Sequence, residues 1–336
     1  MSENSKTKSK KSFKESFIPS KSDSTSTLIS KLIVLVSVAA LLVCFVFIGR
    51  HFWLIYEANQ LNDDLADIYG EGVHIIGGSI ATTAPPPEEG LLDDDGQPAV
   101  TTPWVEPPIM DSAKQMLEIN PDYQGYINFL GNTISEVVVK STDNEYYLNH
   151  NFYGKKRSAG TVFADYRNVI NGAKVSDNIV LYGHNNKDGT MFGEMDQFKY
   201  DWTRVMRNQF VYFDNYYTQD VYVIIAQFVT NSEPKHDDGK VFDYQNYVNF
   251  MSSGQYTFEN FKNEVNARTQ FFTGIEFDEN DKYITMSTCG YEFDEARFVM
   301  VARKLRPGET TDSFDTSKYV KNDNPYYPAI YIKFMG

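Results

Sequence analysis

The chain has 336 residues, 42% of them hydrophobic and 15% aromatic, which is enough for one large domain with a well-formed core. Its formal charge is −14, but the first fifty residues carry +5, with eight Lys and Arg against three Asp and Glu. The remaining 286 residues therefore carry −19. Because nucleic-acid binding draws most of its affinity from basic contacts to phosphate, so acidic a body argues against a nucleic-acid partner.

The N-terminal part of the chain has the pattern of a membrane anchor. Residues 1–31 are rich in Ser, Lys and Thr, which predicts a disordered basic tail. Residues 32–49 carry no charge, and a helix of this length spans about 27 Å, close to the thickness of a hydrocarbon core. Seven lysines precede this segment, and no Lys or Arg occurs from His51 to Ala113, so the N-terminus is predicted to be cytoplasmic and the remainder extracellular.

A cleaved signal peptide is the alternative interpretation of residues 32–49. The apolar region of a signal peptide is shorter, about 7–15 residues, and ends in a small-residue cleavage site. No convincing site of this kind follows Gly49. The pattern therefore favours an uncleaved single-pass anchor in the cell membrane.

Residues 50–110 are predicted to form an extracytoplasmic stalk and an acidic linker. Seven of the thirteen prolines lie between residues 76 and 110, together with acidic clusters at 88–89 and 93–95. This composition cannot bury a core and predicts an extended, semi-rigid spacer. The folded domain is therefore predicted to occupy residues 111–336.

Strand patterns dominate the predicted domain. It opens with a short helical pattern at 112–117 and a turn at 120–122. Strands are predicted at 134–140, 160–163, 178–184, 209–213, 221–230, 282–288, 298–305 and 329–334, with a hairpin connection at 214–220. One amphipathic helix is predicted at 257–272, with Thr257 as its N-cap. About eight strands and few helices predict a mainly β fold, a closed or nearly closed barrel.

The chain has two cysteines, Cys44 and Cys289, which are not expected to pair. Cys44 lies in the predicted membrane segment, so Cys289 is predicted to be an unpaired thiol outside the cell. Cys289 follows one predicted strand and Arg297 precedes the next, so their side chains can share one pocket. A free Cys is also often a small buried hydrophobe, and composition alone favours that structural interpretation.

Four of the five histidines are assigned no chemistry: His51, His74, His150 and His236. We expect His236, in a polar loop, to be solvated. His184 differs because it follows the apolar run 179–183 and precedes a polar loop, which places an imidazole at a strand end. A Cys–His pair with an Arg nearby suits acyl transfer, since it supplies a thiolate nucleophile, a proton donor and an oxyanion ligand. A Cys and a His at strand ends also occur together by chance, so spacing alone supports the catalytic interpretation and the chance interpretation about equally.

The sequence gives no support for a metal or another cofactor. A zinc site needs three or four Cys, His or carboxylate ligands at workable spacing, and the chain has neither an H-x-x-x-H nor a C-x-x-C pattern. No glycine-rich phosphate-binding loop occurs. We therefore expect chemistry carried by side chains alone.

Five segments together resemble class B sortases, the cysteine transpeptidases of the Gram-positive cell envelope: 119–127, 144–150, 160–168, 181–193 and 285–289. The resemblance implies an eight-stranded sortase-type β-barrel with N-terminal helices and an extra helix between the sixth and seventh strands. The predicted 257–272 helix fits that place. Met286 departs from the family pattern T-L-x-T-C, but Met for Leu nearly conserves volume.

The resemblance also implies roles for five residues. Cys289 would be the nucleophile, His184 the general acid/base, and Arg297 the residue that positions substrate and stabilises the oxyanion. Ser287 and Thr288 would line the signal-peptide groove. Enzymes of this family cleave a C-terminal sorting signal after Thr, hold the secreted protein as a thioester, and transfer it to an amine, usually of a peptidoglycan precursor.

Two alternatives stay open at this point. One is a sortase that polymerises pilin with a Lys side chain as the acceptor. The other is a catalytically idle, membrane-tethered binding domain on the same barrel. The combined presence of Cys289, His184 and Arg297 argues against idleness, because a binding module has no need of the set.

Overall fold

The computed structural model describes residues 18–70, 105–129, 131 and 133–335. The chain divides into two compact units between Gln60 and Leu61. The first helix, α1, spans Thr25–Tyr69. Residues 25–31, which we expected in the disordered tail, are therefore helical, and the hydroxyl of Ser24 accepts the N–H of Thr27 at this start. His74, the Pro-rich part of the linker and the first seventeen residues lie outside the described residues.

Within the described part of the chain, one helical segment, Thr25–Arg50, is long and apolar enough to cross a membrane. It contains residues 32–49, and most of its large apolar side chains are exposed. An exposed helix that is apolar on every side has the pattern of a membrane span.

Eight strands of the second unit form a closed barrel, and two short strands form a separate pair. The bounds are β1 Tyr123–Phe129, β2 Ile134–Val139, β3 Phe163–Ala164, β4 Asn178–Tyr182, β5 Phe210–Asp214, β6 Gln219–Asn231, β7 Phe271–Phe272, β8 Tyr283–Cys289, β9 Ala296–Lys304 and β10 Val320–Lys321. Around the barrel the order is β1-β2-β3-β4-β8-β9-β6-β5, and β7 pairs with β10. The predicted eight-stranded, mainly β fold is confirmed.

The described residues of this unit also form four α-helices after α1: α2 Asp111–Ile119, α3 Asp196–Lys199, α4 Phe258–Arg268 and α5 Ala329–Met335. Helix α4 lies between β6 and β8, the sixth and seventh strands of the barrel, as predicted. The Thr257 side chain accepts the N–H of Asn260 at 3.2 Å, which confirms the predicted N-cap. The helix ends at Arg268, so the predicted end at 272 was wrong, and Phe271 belongs to β7.

The barrel has an apolar interior and a second apolar layer on part of its outer face. Because side chains alternate along a strand, Ile284 and Met286 of β8 point into the interior. Tyr283 of the same strand packs in the outer layer, where the 242–277 segment, including α4, covers the sheet. Every second residue of β8 counted from Tyr283, and therefore also Cys289, points to the outer face of the sheet.

Two strand predictions were wrong at the ends of the domain. Strand β1 was not predicted, because Tyr123–Phe129 contains a glycine and follows an Asn-Pro-Asp turn. Residues 329–334 were predicted as a strand but form α5. The closed barrel leaves no free edge for another strand, and the carboxylate of Asp237 accepts the N–H of Ala329 at 3.0 Å, which caps the start of a helix.

The environment of His236 also differs from the expectation. This side chain is buried rather than solvated, with 6% of its surface exposed. Its ring meets that of Phe293 edge-on, with 5.4 Å between the ring centroids. The polar composition of its loop concealed this contact with a residue distant in sequence.

Candidate active site

Cys289 and Arg297 form the centre of the candidate site. They are directly opposite partners in the antiparallel pairing of β8 with β9, so their side chains lie on the same face of the sheet. The Cys289 thiol is free and exposed. Arg297 forms an ion pair at 2.7 Å with Glu295, which has a left-handed backbone (φ 60°). The sheet therefore fixes a guanidinium beside an accessible thiol.

The parallel neighbour of β8 brings His184 to the same place. Strand β4 pairs with β8 so that Tyr182 lies beside Ser287, and the Gly183 N–H donates to the Ser287 carbonyl at 3.1 Å. Two positions further on, this register places His184 next to Cys289. The three residues that the sequence singled out thus lie at adjacent ends of three neighbouring strands.

The His184 ring is oriented by a backbone carbonyl. Its Nε2 atom lies 2.8 Å from the carbonyl oxygen of Leu148. Because a carbonyl only accepts hydrogen bonds, Nε2 carries a proton, and Nδ1 is the atom that exchanges one. Gly160 makes room for this arrangement: its φ is +66°, and an added Cβ would lie 2.6 Å from the Tyr147 carbonyl and 3.1 Å from the His184 ring.

Electrostatics keep the site cationic beside the thiol. Burial lowers the pKa of the Arg297 guanidinium, but the Cys289 thiolate, Tyr244 and Glu295 outweigh it, and the pKa lies above its ordinary value. Burial also raises the pKa of Tyr244, although a hydrogen bond to Ser287 and the charge of Arg297 oppose the shift. Arg297 therefore stays charged, and a cation next to a thiol favours the nucleophilic thiolate.

Ser287 and Thr288 are both buried, each with about 2% of its surface exposed. The Ser287 hydroxyl and the Tyr244 hydroxyl are 2.6 Å apart. The Thr288 hydroxyl donates to the Gly183 carbonyl at 2.7 Å. Both hydroxyls are therefore used in hydrogen bonds within the protein. The place of these two residues in a signal-peptide groove stays a prediction.

Three contributors to the site were not identified from the sequence: Asn185, Tyr244 and Glu295. Asn185 donates from Nδ2 to the Cys289 carbonyl at 2.8 Å. Its position directly after His184 was the available signal. Tyr244 comes from the segment that covers the outer face, and no local pattern places it near Cys289. Within residues 18–70, 105–129, 131 and 133–335, no group of three or more His, Cys, Asp or Glu side chains is arranged to hold a metal ion.

Residues 134–305, just over half of the chain, match the family model described as Sortase domain. The chain belongs to the sortase family. It is similar to the crystal structure of Clostridium perfringens sortase B, with 31% identity and a TM-score of 0.50, over 58% of this chain and all of that one. It is 28% identical to sortase B of Listeria monocytogenes over 193 residues, or 57% of this chain and 73% of the relative.

A Staphylococcus aureus sortase B–substrate complex has the same fold, with 23% identity and a TM-score of 0.50, over 60% of this chain and 88% of that one. The protein is thus a class B sortase, and the resemblance seen in the sequence is confirmed. As a sortase it is a cysteine transpeptidase, which places its chemistry at a thiol.

Proposed function

We propose that this sortase is anchored in the cell membrane and cleaves a C-terminal sorting signal after Thr, through a thioester on Cys289. The secreted protein is then transferred to an amine of the cell wall. One observation carries the proposal: Cys289 and Arg297 are opposite partners across β8 and β9, with His184 beside them at the end of β4. Cys289 and Cys44 are the chain's two thiols, and Cys44 lies in the apolar helical segment.

In the acylation step the Cys289 thiolate attacks the carbonyl carbon of the signal's Thr. Arg297 stabilises the oxyanion of the tetrahedral intermediate through its N–H donors. The C–N bond breaks as His184 gives its Nδ1 proton to the leaving amine, and the acyl group stays on sulfur.

Transfer reverses these roles. The acceptor amine attacks the thioester carbonyl, His184 takes a proton from the attacking nitrogen, and the thiolate leaves. The bond between Leu148 and Nε2 keeps the imidazole in one orientation through both steps. A new amide bond has replaced the one that was broken, so no cofactor is consumed.

The membrane topology proposed from the sequence gives the enzyme its place of action. Residues 1–31 form the cytoplasmic tail, 32–49 the anchor, 50–110 the stalk and linker, and 111–336 the catalytic domain outside the cell. The exposed apolar helix Thr25–Arg50 supports the anchor, and the charge difference across it supports the orientation. The partners are sorting-signal-bearing secreted proteins and a peptidoglycan precursor or cross-bridge amine.

The test is peptide cleavage by the full chain in detergent micelles. A panel of fluorogenic peptides with varied sorting motifs is incubated with the wild type, with Cys289→Ala and with the matched control Cys44→Ala. We expect the wild type and Cys44→Ala to cleave a subset of peptides and to form an acyl-enzyme detectable by mass spectrometry. Equal cleavage by Cys289→Ala would contradict the mechanism. Added diamino peptides or a Lys-bearing pilin peptide then identify the acceptor class from the transfer product.

A further inference from the structure

A series of polar contacts through buried Asn185, half-buried Asp196 and buried Lys199 connects the segment of His184 to a short helix behind the site. Asn185, the residue after His184, donates from Nδ2 to the Cys289 carbonyl at 2.8 Å and to Asp196 Oδ1 at 3.0 Å. The Lys199 ammonium donates to the same Asp196 oxygen at 2.6 Å. Helix α3, which carries Asp196 and Lys199, is thereby linked to both proposed catalytic segments.

The same series of contacts also reaches the loop that follows Cys289. Lys199 forms a second ion pair, with Glu292, and each of these two side chains is only 1% exposed. The Tyr200 hydroxyl donates to the same Glu292 oxygen at 2.7 Å. The other carboxylate oxygen faces the backbone of Gly290, where an added Cβ would lie 2.5 Å away from it. A glycine next to Cys289 therefore allows a buried carboxylate to lie against this turn.

Stability alone does not account for this cluster. A buried ion pair seldom recovers its desolvation cost, and apolar residues of similar size are often as stable. One ammonium faces the two carboxylates of Asp196 and Glu292, so these three side chains carry a formal net charge of −1, which opposes the positive charge of Arg297 at the thiol. Loss of Lys199 would leave −2 there, and a negative environment disfavours a thiolate.

We propose that Lys199 is a positioning residue for the transpeptidase reaction. Through Asp196 and Asn185 it holds the end of β4, and through Glu292 it holds the turn after Cys289. It thereby fixes the separation of imidazole and thiol and limits the negative charge beside the thiolate. This role rests on the proposed function of Cys289 and His184.

The test uses the full chain in detergent micelles on a Cys44→Ala background, so that iodoacetamide reports Cys289 alone. Lys199→Met is expected to move the pH midpoint of Cys289 alkylation upward by about half a unit or more. It is also expected to lower kcat for peptide cleavage about 10- to 100-fold, with KM within about twofold. Asp196→Asn removes one carboxylate and keeps an acceptor oxygen, so its alkylation midpoint is expected to move downward.

The control is Lys282→Met, because Lys282 forms a 2.7 Å ion pair with Asp177 at the opposite end of β8. It is expected to leave both the midpoint and kcat unchanged. The proposal is overturned if Lys199→Met and Asp196→Asn move the midpoint in the same direction, or if neither moves it. Should Lys199→Met fail to fold, an unchanged or upward midpoint for Asp196→Asn overturns it. If the wild type cleaves no peptide, the proposed function fails, whereas the alkylation midpoints still decide the role of Lys199.

Discussion

Cys289 and Arg297 are directly opposite each other across the antiparallel strands β8 and β9. The pairing continues past them, since the Gly290 N–H donates to the Ala296 carbonyl at 2.8 Å. Opposite residues in such a pair have Cβ atoms about 4.5–5.5 Å apart. The sheet, rather than the loop between the strands, therefore sets the distance from thiol to guanidinium, and a donor fixed in this way needs no reorganisation during reaction.

Replacement of Arg297 by Ala is expected to lower kcat about 10²- to 10³-fold, because an oxyanion donor is lost. Arg297→Lys keeps the charge but loses the planar fork of donors, so a smaller loss is expected. Steady-state cleavage of a sorting peptide measures both. Arg204→Ala, which breaks a half-exposed pair with Asp201, is the control and should stay within about twofold of wild type. A kcat for Arg297→Ala close to wild type would remove Arg297 from the mechanism.

Glu136 is expected to make stability depend on pH. This buried carboxyl accepts the Met191 N–H at 2.9 Å. Burial, helped by Asp188, raises its pKa from 4.5 to about 7, although the Met191 hydrogen bond opposes the shift. Between about pH 4.5 and 7 the folded state keeps a proton that the unfolded state has lost. The free energy of unfolding therefore falls as pH rises through that window.

The variant Glu136→Gln removes this titration and keeps an acceptor for Met191. It is expected to be more stable than wild type at pH 8 by about 3 kcal/mol and to approach wild type near pH 4.5. Denaturant unfolding at the two pH values measures the difference, with exposed Glu145→Gln as control. A stability difference that is the same at both pH values would show that Glu136 does not titrate in this range.

The barrel could be predicted because the residues within each long strand already show a strand pattern in the sequence. Residues 282–288 and 221–230 are mostly apolar or β-branched, and the hairpin at 214–220 matches the observed connection of β5 to β6. Strand β1 and helix α5 could not be predicted in this way. The first is weakened by Gly125, and the second depends on Asp237, a capping group far away in sequence.

The sequence predicted those site residues that lie at the ends of strands. His184 follows an apolar run and Cys289 follows a predicted strand, but their adjacency depends on a parallel pairing of β4 with β8 that spacing does not reveal. The buried partners were not predictable. Lys199 and Glu292 look like ordinary surface charges in the sequence, because their pairing arises only when α3 packs behind the loop after Cys289.

The C-terminal helix is expected to stabilise the loop between Cys289 and Arg297. Tyr331 is 3% exposed, and its ring lies 6.3 Å from that of Phe293 in this loop. Tyr331→Ala is expected to lower the free energy of unfolding by about 3–5 kcal/mol. Ile332→Ala, on the next residue but 56% exposed, should change it by no more than about 0.5 kcal/mol. Equal effects in denaturant unfolding would mean that α5 is not packed on the loop.

Thr288 has two possible roles in the site, support of His184 and binding of the sorting signal, and substitutions distinguish them. Its hydroxyl donates to the Gly183 carbonyl next to His184, so Thr288→Val leaves a buried carbonyl without this donor, at a cost of about 1–3 kcal/mol. If the contact supports His184, kcat for peptide cleavage is expected to fall about tenfold or more with KM unchanged, and Thr288→Ser should restore it. A raised KM with unchanged kcat would instead place Thr288 in the groove that binds the sorting signal. Such a change means that the lost contact stabilised the bound substrate and the transition state equally.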